Sequence, residues 1–129
     1  AQAAALAVWM ASQETPSEDI RAAITERFCY DLTESVDSIR TWYRFDESCE
    51  GTVPQAIICA LGAMNFEDAI RNAVSIGGDS DTVAAITGSI AEGMFGVPAW
   101  VGVKTLEHLP DEFVHIMDRC QAWRSGGRG

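Results

Sequence analysis

Helix-start and helix-stop signals recur along the whole chain, and between them the apolar residues follow the spacing of an α-helix. Thr15-Pro16-Ser17-Glu18 is typical of a capping box with proline in the first turn. Thr33, Thr52 and Asn65 are further candidate N-caps. No stretch alternates apolar and polar residues for long enough to predict a strand. The sequence therefore predicts an all-α protein, a compact bundle of several helices.

One predicted helix, which begins near Asp81 and ends near Phe95, has small side chains on several faces. These small residues are Ala84, Ala85, Gly88, Ser89, Ala91 and Gly93. Small residues let neighbouring helices approach closely, so the pattern predicts a central helix that packs on more than one side. The same spacing occurs in membrane helix dimers, but Glu92 and the acidic helix start disfavour that interpretation.

Composition excludes several kinds of partner and location. Apolar residues make up 47% and charged residues 22% of the chain, as in ordinary globular domains, which argues against disorder. The net charge of −10 opposes bulk attraction to nucleic acid or to anionic lipid. No apolar run reaches the ~18 residues that span a bilayer, and no secretory signal is visible. We therefore expect a cytoplasmic location, with no membrane or nucleic-acid partner.

The segment Gly77-Gly78-Asp79-Ser80-Asp81-Thr82 carries the clearest chemical signal. Two carboxylates two residues apart face different ways inside a helix, but they can converge where a loop turns into one. The two glycines permit the backbone angles of such a turn. Carboxylate and hydroxyl oxygens are hard ligands that suit Mg²⁺, Mn²⁺ or Ca²⁺ rather than Zn²⁺. The alternative is that the same side chains only cap a helix N-terminus.

The run GGDSDTVAAITGSIAEGMFG resembles the C-terminal signature of the ADP-ribosylglycohydrolases, the family named after the dinitrogenase reductase-activating glycohydrolase. Two further runs, YRFDESCEGTVPQAIICAL and FEDAIRNAVSIGGDSDT, are similar to its bacterial members in order and spacing. The resemblance extends roughly from Ala1 to Leu109. It implies an all-α fold that holds two divalent cations, Mg²⁺ or Mn²⁺, in a central cleft. It also implies hydrolysis of the N- or O-glycosidic bond between ADP-ribose and a modified target.

The resemblance further implies roles for individual residues, although it assigns no catalytic residue. The metal ligands that it implies are Asp79, Asp81 and Thr82. The substrate contacts that we infer from it are Cys49, Gly51, Thr52, Gly78 and Ser80. The cations would hold ribose hydroxyls and polarise an attacking water. They would also offset the repulsion between an acidic protein and an anionic ligand.

The Thr-Asp-Asp run that carries the family's remaining metal ligands does not occur in this sequence. Two cations need about ten to twelve ligands, more than the three implied residues supply. We therefore expect residues 1–123 to be a partial helical domain of this family, incomplete as an enzyme by itself, and residues 124–129 to be a flexible tail. The expected partners are ADP-ribose or an ADP-ribosylated protein or small molecule, and an N-terminal half or a second copy. The alternative is a non-catalytic helical binding or self-associating domain.

Other cysteine, histidine and aromatic residues are predicted to have structural roles. The cysteines, which are Cys29, Cys49, Cys59 and Cys120, are widely spaced and fit reduced thiols better than two disulfides. Cys49 is predicted to be partly buried, and His108 and His115 to lie on the surface. The four tryptophans are expected to anchor a core or an interface. For Trp42, Tyr43 and Phe45, core packing is favoured over stacking on an adenine.

Overall fold

A computed structural model describes residues 1–126, apart from the side chain of Arg124. Within these residues the regular structure is entirely helical, which confirms the predicted all-α class. The helices are α1 (Gln2–Ser12), α2 (Ser17–Phe28), α3 (Val36–Trp42), α4 (Cys49–Leu61), α5 (Phe66–Ser75), α6 (Ser80–Phe95), α7 (Ala99–Leu106) and α8 (Asp111–Gly126). Of the predicted tail, residues 124–126 belong to α8 and residues 127–129 lie outside the described residues.

The chain forms two compact units, the first of residues 1–96 and the second beginning at Val97. In the first unit, α6 contacts α1, α4 and α5, so the prediction of a central helix is confirmed. A Cβ at Gly93 would lie 2.9 Å from Cβ of Ala11 in α1. A Cβ at Gly88 would lie 3.2 Å from Cδ1 of Ile70 in α5. The small residues of α6 therefore let two neighbouring helices approach it closely.

The core of the first unit consists of apolar side chains from all six of its helices and from the segments between them. Fully buried members include Ala7, Ile20, Ile24, Leu32, Ile39, Ile57, Val83 and Ile90. Burying such side chains is the main favourable contribution to the free energy of folding. This core fixes the positions of α4 and α6, whose N-terminal ends carry the predicted site.

The start of α5 follows the predicted cap. Asn65 accepts a hydrogen bond from the main-chain N–H of Asp68 at 2.9 Å. Asp68 in turn accepts one from the main-chain N–H of Met64, also at 2.9 Å. Reciprocal bonds of this kind satisfy N–H groups that a helix start leaves without internal partners.

Two other predicted caps are wrong. Helix α2 begins after Pro16, and the Thr15 side chain is not its cap. Helix α3 is capped by Ser35 rather than Thr33. The Thr33 hydroxyl donates instead to the carboxylate of Asp31 at 2.6 Å, so it is already engaged outside the helix.

The surface carries most of the large aromatic side chains. All four tryptophans are exposed, by 46% to 79%, so they do not anchor the core, and the alternative that they anchor an interface stays a prediction. In the second unit, α7 has no buried residue among those described. His108 and His115 are exposed, as predicted. In the part of the chain that the structure describes, no helix is both long enough and apolar enough to cross a membrane.

The cysteines differ strongly in environment, although all four are free thiols in the described residues. Cys49 is exposed at the start of α4, so the prediction that it is partly buried is wrong. Cys59 is buried in α4, and burial raises its pKa to about 12. The Cys59 thiol therefore stays protonated and unreactive near neutral pH.

Candidate metal and substrate site

The turn before α6 has the backbone conformation that its glycines predict. Gly77 and Gly78 have φ angles of 77° and 69°, in the left-handed region that glycine adopts without strain. Asp79 follows as the N-cap residue of α6, and its main-chain oxygen accepts from the N–H of Val83 at 3.0 Å. The turn therefore delivers Asp79 and Asp81 to the exposed N-terminal end of the central helix.

The Asp79 side chain does not behave as an ordinary helix cap. Among residues 1–126, no main-chain N–H donates a capping bond to the Asp79 side chain. The Asp79 carboxyl lies next to that of Asp81 and hydrogen-bonds with it. This contact lowers the pKa of Asp81, and hydrogen bonds from the main-chain N–H groups of Asp81 and Thr82 lower it further. Two carboxyl groups this close repel each other when both are ionised, and a cation between them would relieve that repulsion.

Thr82 and Ser80 occupy the same first turn. The Thr82 side chain is exposed and follows directly after Asp81. The Ser80 hydroxyl is half-buried and makes only a long contact with the main-chain oxygen of Gly78, at 3.5 Å. The Ser80 hydroxyl is therefore only weakly engaged within the protein.

The predicted substrate segment forms the first turn of α4. Helix α4 begins at Cys49 and is capped by Ser48, whose hydroxyl accepts from the N–H of Gly51 at 3.0 Å. The prediction that Thr52 caps this helix is therefore wrong. Thr52 is buried and donates its hydroxyl hydrogen to the main-chain oxygen of Asp46 at 2.9 Å.

Asp46 packs tightly against the same helix start. A Cβ at Gly51 would overlap the Asp46 carboxylate, so only glycine leaves room for it there. The Ser48 hydroxyl and main-chain N–H hold the pKa of Asp46 below its usual value. The loop before α4 is thus tied to the helix by Asp46.

Tyr43 connects the two predicted segments, and the sequence did not single it out for this role. Its ring packs on Gly78, where a Cβ would lie 2.5 Å from Cε1 of the tyrosine. Burial of its side chain raises the pKa of its hydroxyl, and the negative charges of Asp46 and Asp79 raise that pKa further. A hydrogen bond with the Thr52 side chain acts in the opposite direction and lowers it. Tyr43 therefore lies between the start of α4 and the Asp79 turn.

The neighbours of Tyr43 also differ from prediction. Tyr43 packs into the core as expected, but Trp42 and Phe45 are exposed, so core packing is wrong for those two. Gln55, one turn into α4, lines a small cavity with Tyr43. No local pattern in the sequence marks Tyr43 or Gln55, because the contacts that define their roles join residues distant in the chain.

The donor groups of the turn fit a hard divalent cation in kind, since they are two neighbouring carboxyls and a hydroxyl. They are few in number: the described residues contain no cluster of three or more His, Cys, Asp and Glu side chains that could hold a metal. Asp79, Asp81 and Thr82 would therefore hold a cation only together with water, substrate or other ligands.

Comparison with known proteins assigns the family. A family model described as ADP-ribosylglycohydrolase matches residues 1–125. No curated protein and no solved structure matches the chain at a significant level. Members of this family act on ADP-ribosylated substrates and are generally metal-dependent. Because the match covers nearly all 129 residues, the chain belongs to the ADP-ribosylglycohydrolase family.

Proposed function

We propose that this chain carries the metal-binding part of a Mg²⁺- or Mn²⁺-dependent ADP-ribosyl hydrolase that cleaves the glycosidic bond between ADP-ribose and a modified target. One observation carries the proposal. Within the described residues, the Asp79 carboxylate accepts no capping bond although it stands at a helix N-terminus, and it lies beside the Asp81 carboxyl. Among the described residues neither carboxylate forms an ion pair with a basic side chain. Paired carboxylates without such a partner favour a divalent cation over simple helix capping.

The ligands in this proposal are Asp79, Asp81 and Thr82. Cations bound there would supply Lewis-acid chemistry, orienting ribose hydroxyls and polarising water. The positive end of the α6 dipole stabilises the carboxylates but opposes a cation, so both carboxylates are needed to make the turn attractive to one. The chain's net charge of −10 adds a general attraction for cations.

The proposed substrate contacts lie on both sides of Tyr43. They are Cys49, Gly51 and Thr52 in α4, and Gly78 and Ser80 in the turn. Gly78 is exposed and has no side chain, so a ligand could approach its main chain closely. The Thr52 hydroxyl is already bonded to Asp46, so we assign it a supporting role in holding the loop.

Mn²⁺ titration of the full chain tests the ligand assignment. We expect Asp79→Asn and Asp81→Asn each to weaken Mn²⁺ binding at least about tenfold, because each removes a charged ligand oxygen. Asp19→Asn is the matched control, since Asp19 is also acidic and in the first turn of a helix. Calorimetry or the paramagnetic resonance signal of free Mn²⁺ gives the affinity.

The result for Asp19→Asn separates metal binding from general acidity. Equal losses in all three variants would mean that Mn²⁺ only follows the net charge, and the ligand assignment would be wrong. ADP-ribose added with Mn²⁺ should raise the midpoint of thermal unfolding above Mn²⁺ alone, because a ligand that binds only the folded state stabilises it. Hydrolysis of ADP-ribosylated arginine and serine peptides then tests turnover and the acceptor.

A second candidate function is a non-catalytic domain that binds a partner or a second copy. The observation that favours it is the number of large apolar side chains on the surface. Trp9, Phe45, Met64, Trp100 and Trp123 are each more than half exposed. Exposed apolar side chains of this size are typical of surfaces that a partner covers when they are contiguous.

A further inference from the structure

The turn that carries the proposed metal ligands has little side-chain packing of its own. Gly77 and Gly78 both have positive φ angles and no side chain. Among the described residues, a Cβ at Gly77 would meet no atom within 4 Å. The Asp79 side chain accepts no capping bond from the helix that it precedes. Contacts that reach this turn from elsewhere in the chain therefore decide where the Asp79 carboxylate lies.

Tyr43 supplies such a contact at Gly78. The three heavy atoms nearest to a Cβ built there are Cε1 of Tyr43 at 2.5 Å, the main-chain oxygen of Arg44 at 3.1 Å and Cδ1 of Tyr43 at 3.2 Å. Two of these three atoms are ring carbons, and the tyrosine hydroxyl is not among them. The edge of the ring therefore lies against the main chain of Gly78, with no room for a side chain between them.

The Tyr43 ring is itself held in place by the core. Tyr43 is only 4% exposed and belongs to the buried cluster of the first unit. It follows directly after α3, and its main-chain N–H donates to the oxygen of Ile39 at 2.9 Å. Because protein interiors are close-packed and transmit strain, a ring fixed in this way resists movement of the chain that packs on it.

The position of a carboxylate matters more in a metal site than on an ordinary surface. Distances from ligand atoms to the metal are defined to within about 0.2 Å. Gly78 and Asp79 are joined by one peptide bond, so their Cα atoms lie about 3.8 Å apart. A shift of the Gly78 main chain would therefore move the Asp79 carboxylate relative to that of Asp81.

We propose that Tyr43 is a positioning residue of the metal site: its ring holds the Gly78 turn in the conformation that places the Asp79 carboxylate beside that of Asp81. Tyr43 is not itself a ligand in this proposal. The inference rests on the proposed function, because it needs a cation bound by the two carboxylates. It goes further by giving a core aromatic residue, distant in sequence from that turn, control over metal affinity.

Mn²⁺ titration of full-chain variants tests this role. Tyr43→Phe keeps both ring carbons that contact Gly78, so we expect its Mn²⁺ affinity to equal that of the wild type. Tyr43→Leu removes the ring, and we expect it to bind Mn²⁺ about tenfold more weakly, as when other residues that orient metal ligands are replaced. Tyr30→Leu is the matched control, because Tyr30 is the chain's other tyrosine and is half-buried against the same core. It should leave Mn²⁺ affinity unchanged.

A double-mutant cycle separates the positioning of Asp79 from a general loss of stability. Once Asp79→Asn has removed the ligand, adding Tyr43→Leu should cost little further Mn²⁺ affinity, because coupled residues have non-additive effects.

Hydrogen exchange of the Val83 N–H, which bonds to the main-chain oxygen of Asp79 at 3.0 Å, gives a readout without metal. At a temperature where all variants are folded, this amide should exchange faster in Tyr43→Leu than in Tyr43→Phe.

Three results would overturn this proposal alone. Wild-type Mn²⁺ affinity in Tyr43→Leu would mean that the turn keeps its conformation without the ring. Equal losses in Tyr43→Leu and Tyr30→Leu would mean that the ring only stabilises the core. Additive losses in the cycle would mean that Tyr43 does not act through Asp79. Failure of the proposed function is distinguishable, because Asp79→Asn itself would then bind Mn²⁺ as tightly as the wild type, and both proposals would be wrong.

Discussion

Among single residues, Gly78 combines an unusual backbone angle with tight packing, and Gly77 beside it has only the angle. Alanine at either position would adopt a positive φ, at a cost of about 1–2 kcal/mol. At Gly78 the new Cβ would also lie 2.5 Å from Tyr43 Cε1 and 3.1 Å from the main-chain oxygen of Arg44. Overpacking of this kind costs about 1–3 kcal/mol more. We therefore expect Gly78→Ala to lower the free energy of unfolding by about 2–5 kcal/mol, and Gly77→Ala by about 1–2 kcal/mol.

Urea unfolding of the two variants measures the difference. Within the described residues a Cβ at Gly77 meets no atom within 4 Å, so that variant isolates the backbone contribution. Equal losses of unfolding free energy in the two variants would mean that the Tyr43 ring does not pack against the turn. The inferred contact between the loop before α4 and the turn that holds Asp79 would then be wrong.

The glycines of the turn and the tyrosine that packs on them differ in how far the sequence predicts their roles. The glycine turn is predictable because positive φ is a local property of glycine. The role of Tyr43 is not, because Trp42, Tyr43 and Phe45 look equivalent in sequence and only the packing of α4 and α6 turns one of them inward. Asp46 is a similar case, since its contact with Gly51 depends on how the loop folds back on the helix.

At the scale of helices, α6 contains two glycines that face different neighbours. A Cβ at Gly93 would lie 2.9 Å from Ala11 Cβ and 3.0 Å from the main-chain nitrogen of Ser12, neither of which can move freely. Among the described residues, a Cβ at Gly88 meets only Cδ1 of Ile70, the movable end of a side chain. Alanine favours helix over glycine by up to about 1 kcal/mol at both positions.

We expect Gly88→Ala to be neutral or stabilising by up to about 1 kcal/mol. We expect Gly93→Ala to be destabilising by up to about 3 kcal/mol, because overpacking outweighs the gain in helix propensity. Thermal and urea unfolding of both variants give the two values. If Gly93→Ala is as stable as Gly88→Ala, α1 does not approach α6 as closely as the structure has it.

Helix starts show why local rules predict some elements and miss others. Asn65 is predictable because the contacts are local: its side chain accepts from the main-chain N–H of Asp68, and the Asp68 side chain accepts from that of Met64. The Thr33 hydroxyl donates a hydrogen bond to the Asp31 carboxylate instead of capping a helix, and Ser35 caps α3. A sequence pattern names the side chains able to cap a helix, but tertiary structure decides among them.

For the whole molecule, helical periodicity predicted the all-α class and the central helix, because both follow from which residues are apolar or small. The division at Val97 was not predicted, because Gly96-Val97-Pro98 looks like any helix stop. Net charge is also readable from the sequence, but exposure is not. Trp9 and Trp123 are apolar residues that the fold leaves in contact with solvent.

Charge and exposed apolar surface act in opposite directions on self-association, which makes its salt dependence informative. A net charge of −10 repels a second copy, and raising NaCl from 0.1 to 1 M shortens the screening length from about 10 Å to about 3 Å. Contacts between exposed apolar side chains persist in salt. We therefore expect sedimentation velocity to show a larger average mass at 1 M than at 0.1 M NaCl. An average mass that falls with salt would mean that ion pairs hold the copies together, and a monomer of 14.0 kDa at both concentrations would contradict a self-associating domain.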